Sequence, residues 1–322
     1  MKNKKKIIKI IILVAVLLVV FIPIATPFLL VGGVIGGLNI AKFGIYSEYY
    51  SMRENVCKNP GLNDGFVCQG IAITDDNQNI LVSGYMKDDS ASRIYVTDLN
   101  SNSYYVYLSR DGKVFTGHAG GVATTGDYVY VASGSKIYTF ALSDVLNSKN
   151  GDVVEIGSGT KVNNEASFVY TDDNYLYVGE FHDGGKYVTE HPYETGEGLN
   201  HAIVSRYDIN DLSKPNKIYS IRNKVQGMCF TPDGKVVLST SYGIKDSVYY
   251  VYNEADAFDS GETLDGAPVY YFDDYIREVK GPAMSEDLDY YDGKIITLSE
   301  SACNKYIFGK FFFANKIVTL SF

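Results

Sequence analysis

One short phrase of sequence recurs along this chain about every 45 to 60 residues. Its clearest copies are VCQGIAITDDNQNILVSGYM, residues 67–86, and VQGMCFTPDGKVVLSTSYG, residues 225–243. Looser copies start at Gly120, Ala166 and Gly281. Each copy joins two apolar runs of period-two alternation through a polar turn, which predicts antiparallel strands and excludes helical repeats. Self-similarity at this period is typical of propellers and solenoids.

Each repeat carries further strand-like runs. RIYVTDL (residues 93–99) and YYVYL (residues 104–108) follow the copy at 67–86, and KIYTFAL and VVEIG follow the copy that starts at Gly120. Four antiparallel strands per repeat, arranged radially, make a propeller blade. The sequence therefore predicts an all-β fold, a β-propeller of five blades over residues 66–322. A sixth blade is the alternative, if residues 43–50 (FGIYSEYY) pair with C-terminal strands.

A Gln-Gly pair opens each of the two clearest copies. We expect the pair to begin the innermost strand of a blade, where a side chain larger than hydrogen would crowd the axis. The corresponding positions of all repeats give a set of candidate ligand-binding residues that face one central channel: Gln69, His118, Glu165, Gln226 and Glu286.

Each candidate in this set also has a structural interpretation. His118 is either a proton acceptor in the channel or a turn histidine bonded to the backbone. The two glutamates either hold a ligand or act as a general base, or they bond to backbone amides near the axis. The other histidines lie at 182–201, where the spacing matches no zinc site. We expect them in a long solvated loop that covers one mouth of the channel.

The N-terminus has the pattern of a membrane anchor. Residues 1–9, MKNKKKIIK, carry five lysines and no acid, and residues 10–31 carry no charge. A helix of that length spans about 33 Å, enough to cross the hydrocarbon core. The lysines predict a cytoplasmic stub at 1–9, a single-pass transmembrane helix at 10–31 in the cell membrane, and an extracytoplasmic C-terminal domain. A cleaved signal peptide is the alternative.

The charge of the chain limits its partners. Formal net charge is −9, and −14 remains once the five N-terminal lysines are set aside. A chain segment this acidic repels the phosphate backbone of DNA or RNA, which argues against nucleic acid as a partner. The expected partners are the membrane, through the N-terminal helix, and a small molecule, a peptide or an envelope protein.

Residues 32–65 are predicted to be a linker. Cys57 and Cys68 flank the loop-like stretch KNPGLNDGFV, and a disulfide closing that loop is expected outside the cytoplasm. A second bridge between Cys229 and Cys303 stays open, because sequence does not fix connectivity. Cys229 lies in the middle of a strand, which favours a small buried apolar residue.

The stretch VQGMCFTPDGKVVLSTS resembles the repeat of the calcium-dependent propeller hydrolases, the gluconolactonase and phosphotriesterase-type superfamily. The chain is also similar to uncharacterised secreted bacterial propellers with GHAGG and VGEF phrases. The first resemblance implies a Ca²⁺ ion held in the central channel by Glu, Asn and Asp side chains. Gln226 stands here at the family's Asn position. The metal ligands that the resemblance implies in this chain are Asn164, Glu165 and Glu286.

These observations predict a membrane-anchored propeller that binds a small ligand or a partner protein. The alternatives are a calcium-dependent hydrolase of lactones or phosphoesters, and an architectural envelope subunit. The sequence contains no phosphate-binding Gly-rich loop, no G-x-S-x-G elbow and no nucleotide fingerprint. Enzymes built on those motifs are therefore excluded.

Overall fold

The computed structural model describes residues 42–172, 174–306, 309 and 314–322. The predicted stub at 1–9, the predicted anchor at 10–31 and the first part of the predicted linker lie outside these residues. Across the described ranges, no helix has the length and apolar character that a membrane crossing requires. One compact unit, Tyr46–Phe322, holds all the strands given below.

The described elements are numbered from the N-terminus. The first group is α1 (Ser47–Met52), β1 (Arg53–Lys58), β2 (Phe66–Ile73), β3 (Asn79–Met86), β4 (Arg93–Asp98), β5 (Ser103–Arg110) and β6 (Lys113–Val114). The second group is β7 (Gly121–Thr125), β8 (Tyr128–Ser133), β9 (Lys136–Ala141), α2 (Leu142–Leu146), β10 (Val153–Glu155) and β11 (Thr160–Lys161).

The third group is β12 (Phe168–Thr171), β13 (Tyr175–Gly179), β14 (Tyr193–Thr195), β15 (Gly198–Asn200), β16 (Ala202–Asp208) and β17 (Lys217–Ile221). The fourth group is β18 (Val225–Phe230), β19 (Lys235–Thr240), β20 (Ser247–Asn253), a 3₁₀ turn (Glu254–Asp256), β21 (Phe258–Leu264) and β22 (Ala267–Tyr271). The last group is β23 (Arg277–Gly281), β24 (Ser285–Tyr291), β25 (Lys294–Ser299) and β26 (Lys316–Leu320).

The described residues form a five-bladed β-propeller, which confirms the predicted all-β fold and its favoured blade number. From the axis outward the blades are β2-β3-β4-β5, β7-β8-β9-β11, β12-β13-β16-β17, β18-β19-β20-β23 and β24-β25-β26-β1. Each innermost strand packs against the next, and β24 packs against β2, so the ring is closed. Outer additions are β10 on blade one and the β21-β22 pair on blade three.

The ring is closed by a strand from the predicted linker. β1 pairs antiparallel with β26, with Arg53 opposite Leu320 and Lys58 opposite Lys316, and forms the outer edge of blade five. The propeller therefore begins at residue 53 rather than at 66. Residues 43–50 build no sixth blade, because Ser47–Met52 is helical and packs through Tyr49 and Met52.

Glycines let the innermost strands approach closely, as the Gln-Gly pairs predict. A Cβ atom on Gly70 would lie 2.4 Å from the backbone nitrogen of Val122 in blade two. A Cβ atom on Gly227 would lie 2.6 Å from the Cα atom of Asp287 in blade five. Real Cβ atoms do not approach backbone this closely, so these two contacts between blades require glycine.

The core lies between neighbouring blades. Leu81 and Ile94 of blade one share a buried cluster with Val129 and Phe140 of blade two. Consecutive strand residues such as 80–84 are all buried, because each sheet is covered on both faces by neighbouring blades. Burial of apolar surface between blades is therefore the main force that stabilises the ring.

All four cysteines are free and buried, so the predicted Cys57–Cys68 disulfide is wrong. The two residues lie on different blades, because Cys57 is on β1 in blade five and Cys68 is on β2 in blade one. The Cys68 sulfur accepts a hydrogen bond from Asn59 Nδ2 at 3.2 Å instead. Cys229 is fully buried, in agreement with its interpretation as a small core residue.

Candidate functional site

The innermost strands converge on a cavity of about 680 Å³ at one end of the ring axis. The structure brings all the predicted channel residues to its lining: Gln69, His118, Glu165, Gln226 and Glu286. They come from five different blades, because the repeat gives each blade an equivalent position beside the axis. Their common location is an observation, whereas their role in binding stays a prediction.

Bulges at the start of the innermost strands present three of these side chains. The pairing of β2 with β3 shifts between Cys68 and Gly70, which leaves Gln69 as the extra residue. The pairing of β18 shifts around Gln226 in the same way. The pairing of β24 with β25 shifts between Ser285 and Leu288, a step that includes Glu286. An extra residue breaks the strand's alternation and redirects its side chain, a common device beside functional sites.

A pair of buried carboxyl groups occupies the blade-five side of the cavity. Glu286 is 3% exposed and Glu300 is 9% exposed. Burial, followed by the charge of Glu300, holds the pKa of Glu286 well above its usual range. Burial also raises the pKa of Glu300 to about 7, although Lys305 acts in the opposite direction. Both groups therefore hold protons more tightly than exposed glutamates do.

The two glutamines of the repeated phrase contact these carboxyl groups. Gln69 Nε2 donates to Glu300 Oε2 at 2.9 Å. Gln226 Nε2 lies 3.5 Å from Glu286 Oε1 and 3.4 Å from Ser241 Oγ. Each amide uses donor hydrogens in these contacts and can present its oxygen to a ligand. The result is a polar wall of amides and of carboxyl groups whose pKa values are raised.

Next to this polar wall, the surroundings of the cavity are aromatic and basic. His118 stacks on Tyr85, with ring centroids 4.6 Å apart. Lys305 donates to Tyr85 Oη and lies 4.4 Å from the centroid of the same ring. Burial, followed by the charges of Lys305 and Lys186, lowers the pKa of His118. The imidazole is therefore neutral at neutral pH and offers one donor and one acceptor.

The loop at 182–189 forms part of the cavity wall. It contributes Tyr187, whose ring lies 5.6 Å from that of Phe181. Asp183 Oδ1 accepts hydrogen bonds from the backbone nitrogens of Gly185, at 2.7 Å, and Tyr187, at 2.9 Å. The Thr189 backbone donates to His182 Nδ1 at 3.0 Å. The loop therefore borders the cavity, and its covering of one mouth of the channel stays a prediction.

The histidines of this region are less exposed to solvent than the sequence predicts, since His182 is buried and His191 and His201 are half-buried. His182 is 5% exposed and stacks on His201 with centroids 4.5 Å apart. His191 Nδ1 lies 2.9 Å from the buried carboxylate of Glu180, and this hydrogen bond raises the pKa of His191. These histidines hold the loop against blade three, because each forms a hydrogen bond or a ring stack with a buried residue.

The described residues do not fit the calcium site that the resemblance implies. Glu165 and Glu286 reach the cavity, but Asn164 is absent from its described lining and donates to the Val178 carbonyl at 2.9 Å. In the described part of the chain, no three His, Cys, Asp or Glu side chains are grouped as metal ligands. We therefore derive no step through calcium.

Several cavity residues were missed by the repeat comparison. They are Tyr85, Phe181, Tyr187, Tyr242, Glu300 and Tyr306. Tyr85, Tyr242 and Glu300 lie at or just beyond the end of the second strand of a blade. In an antiparallel pair that end lies beside the start of the first strand. The alignment of Tyr85 with Tyr242 in the two clearest copies was the signal that could have found them.

Comparisons with known proteins give structural similarity alone. No protein-family model matches the sequence, and no curated protein matches it significantly. The PQQ-bound aldose sugar dehydrogenase of Streptomyces coelicolor is 15% identical, with 76% of each chain covered and a TM-score of 0.42. Myxococcus xanthus glutaminyl cyclase is 8% identical, with 77% of this chain and 91% of that chain covered and a TM-score of 0.43.

BamB from Moraxella catarrhalis is 10% identical, with 80% of this chain and 85% of that chain covered and a TM-score of 0.34. These similar proteins differ in function among themselves. At such identities and TM-scores they assign no activity to this chain. Its function has to be argued from the residues of its own cavity.

Proposed function

We propose that the cavity binds a small, hydroxyl-rich, uncharged ligand, and a neutral sugar is the simplest of this class. The observation that carries the proposal is the composition of the lining, which combines aromatic rings with amides and with carboxyl groups whose pKa values are raised. Ligand pockets typically combine apolar surface with a few polar groups that fix orientation.

The chemistry of the polar wall suits hydroxyl groups. A sugar hydroxyl both donates and accepts hydrogen bonds, and so do an amide and a protonated carboxyl group. The exposed ring of Tyr187 offers an apolar face to the C–H surface of a sugar ring. The charged groups Glu165 and Lys186 are exposed, so a ligand can reach the polar wall without stripping water from either ion. An uncharged polyol is therefore the ligand class that this lining favours.

Binding can be tested on the full-length chain in detergent. We expect isothermal titration calorimetry with neutral hexoses to give saturable binding, and Tyr187→Ala and Gln226→Leu each to weaken it about tenfold, since each removes a contact worth about 1.4 kcal/mol. Tyr128→Ala is the matched control, because Tyr128 is 53% exposed and lies outside the described lining.

The same titration distinguishes the calcium-dependent alternative. A chelator is expected to leave the affinity unchanged, because the described residues hold no group of three or more His, Cys, Asp or Glu side chains placed to bind a metal. The proposal fails if no neutral sugar binds, or if Tyr128→Ala reduces affinity as much as Tyr187→Ala does. Calcium-dependent turnover of a lactone by the parent chain would favour the hydrolase instead.

We also propose that residues 10–31 anchor the chain in the cell membrane with the propeller on the extracytoplasmic side. The support is the uncharged run at 10–31 and the five lysines before it. We expect the full-length chain to stay in the membrane fraction after an alkaline carbonate wash. A C-terminal epitope tag should be labelled on intact cells. Labelling only after permeabilisation would contradict this orientation.

A further inference from the structure

A second, basic cavity continues from the central one. It has a volume of about 500 Å³ and shares Ser133 and Gly134 with the lining of the central cavity. We call it the basic groove, and its cationic side chains are Arg110, Lys136 and Lys161. Since two lining residues are common to both spaces, one ligand can extend from the first into the second.

Two lysines of the basic groove stand directly opposite each other. Lys161 on β11 pairs with Lys136 on β9 in the antiparallel register. Directly opposite residues on antiparallel strands have Cβ atoms about 5 Å apart, and like charges in that position destabilise a sheet. The Lys136 Nζ donates to the Ser158 carbonyl at 2.7 Å, which is a neutral acceptor and leaves the charge uncompensated by that contact.

The third cation lies against the aromatic floor of the basic groove. Arg110 Nη1 donates to Tyr138 Oη at 3.2 Å, and its guanidinium carbon lies 5.9 Å from the centroid of Phe115. The two rings pack edge to face with centroids 5.2 Å apart. Such contacts hold the guanidinium in place while leaving other N–H donors free to meet an anion.

The charge balance of this region is opposite to that of the chain. The formal net charge is −9, whereas the described lining of the basic groove has three cations and no carboxylate. Nearby Glu155 directs its oxygens to Ser109 Oγ and to the backbone nitrogens of Asp111 and Gly112. A cluster of cations on an acidic protein creates a local potential that selects anions.

Resting on the proposed function of the central cavity, we infer that the ligand is an acidic oligosaccharide. A hydroxyl-rich unit occupies the central cavity, and the carboxylate or sulfate of a neighbouring unit lies between Lys136 and Lys161. The anion then relieves the repulsion between the two lysines, which is why the site favours a charged ligand over a neutral one of equal length.

The test compares matched ligands on the full-length chain. The probes are a uronic-acid trisaccharide, the same trisaccharide with its carboxyl groups reduced to alcohols, and a sulfated neutral trisaccharide. We expect each acidic probe to bind at least about fivefold more tightly than the reduced one, and Lys161→Gln to remove about fivefold of the affinity for the acidic probes alone. Raising the salt from 0.05 to about 0.2 M should shrink the preference.

Lys214→Gln is the matched control, since it removes the same charge from an exposed position outside the described lining of the basic groove. Lys161→Gln should not lower the melting temperature of the ligand-free chain, because it removes the charge repulsion between Lys161 and Lys136. Equal affinity for the reduced and acidic trisaccharides would overturn the inference and leave the proposed function standing. Binding of none of the trisaccharides would overturn both.

One more probe separates sugars from other anions. A short poly-glutamate peptide of the same charge should bind much more weakly than the acidic trisaccharide, because it lacks the hydroxyl-rich unit for the central cavity. Peptide binding as tight as that of the acidic trisaccharide, and equally sensitive to Lys161→Gln, would assign the basic groove to an acidic protein partner and overturn the saccharide assignment.

Discussion

Replacing Gly227 with alanine is expected to lower the free energy of unfolding by about 3 kcal/mol. The added Cβ would lie 2.6 Å from the Cα atom of Asp287 and 2.8 Å from the backbone nitrogen of Leu288. Both atoms belong to an innermost strand that neighbouring strands hold in place, so neither moves freely. Urea unfolding of the full-length chain measures the loss, and the melting temperature should fall by about 8 °C.

Gly185→Ala is the matched control for Gly227→Ala. The nearest atom to a Cβ on Gly185 lies 3.6 Å away, an ordinary contact distance, and Gly185 has no positive φ angle. The same substitution is therefore expected to leave stability almost unchanged there. If Gly227→Ala unfolds at the same urea concentration as the parent chain, blades four and five do not approach as closely as described.

The pH dependence of stability should report the buried carboxyl pair. The folded chain raises the pKa of Glu300 from 4.5 to about 7, chiefly through burial. A carboxyl group whose pKa is higher in the folded state stabilises the fold at low pH, and that contribution disappears as pH rises toward the folded pKa. Glu300 alone should therefore remove about 3 kcal/mol between pH 4.5 and about 7.

Glu300→Gln tests this assignment. Glutamine keeps an oxygen to accept the hydrogen bond from Gln69, but it has no proton to lose. The variant should gain about 3 kcal/mol relative to the parent chain on going from pH 4.5 to pH 8, when urea unfolding is followed at both values. A difference between variant and parent that does not change with pH would contradict a raised pKa at Glu300.

Glu155→Gln is the control of opposite sign. Hydrogen bonds, the largest from the backbone of Gly112, lower the pKa of Glu155. A lowered pKa stabilises the fold above the ordinary value of 4.5 and loses that effect as pH falls. Glu155→Gln should therefore weaken the fold at pH 8 and matter less at pH 3, which is the reverse of Glu300→Gln.

The sequence predicted those features that the repeat itself determines. Period-two runs and a recurring Gln-Gly pair were enough to predict the propeller and the crowding at Gly70 and Gly227. The alignment of the repeats also located His118 and Glu165, because equivalent positions of the repeats in a closed ring lie at similar distances from the axis. These properties follow from local pattern and symmetry, and neither needs knowledge of long-range contacts.

Other features depend on contacts that local pattern does not encode. The stretch RENVCK of β1 has no regular apolar alternation. β1 is an edge strand, and only one of its side chains is buried. Its partner strand β26 lies at the other end of the sequence, so no neighbouring residue of the sequence indicates the pairing. His182 is polar in sequence and buried in the fold because its partners, Thr189 and His201, satisfy it.

Glu300 was missed for a further reason. It follows the last residue of the second strand of its hairpin, and the repeat comparison considered only the starts of the first strands. Its burial beside Glu286 arises from two chain segments that meet only after β24 and β25 pair. A carboxyl pair of this kind is therefore visible from the folded chain and not from residue spacing.

Closure of blade five by β1 has a consequence for biosynthesis. About 260 residues separate β1 from β26, so a ribosome adding about 5–20 residues per second needs roughly 13 to 50 s to deliver the partner strand. During that interval the backbone hydrogen-bonding groups of β1 in the nascent chain have not yet met their partner strand β26. Such an exposed edge can pair with neighbouring nascent chains. The interval is therefore when a holdase chaperone would protect this protein most.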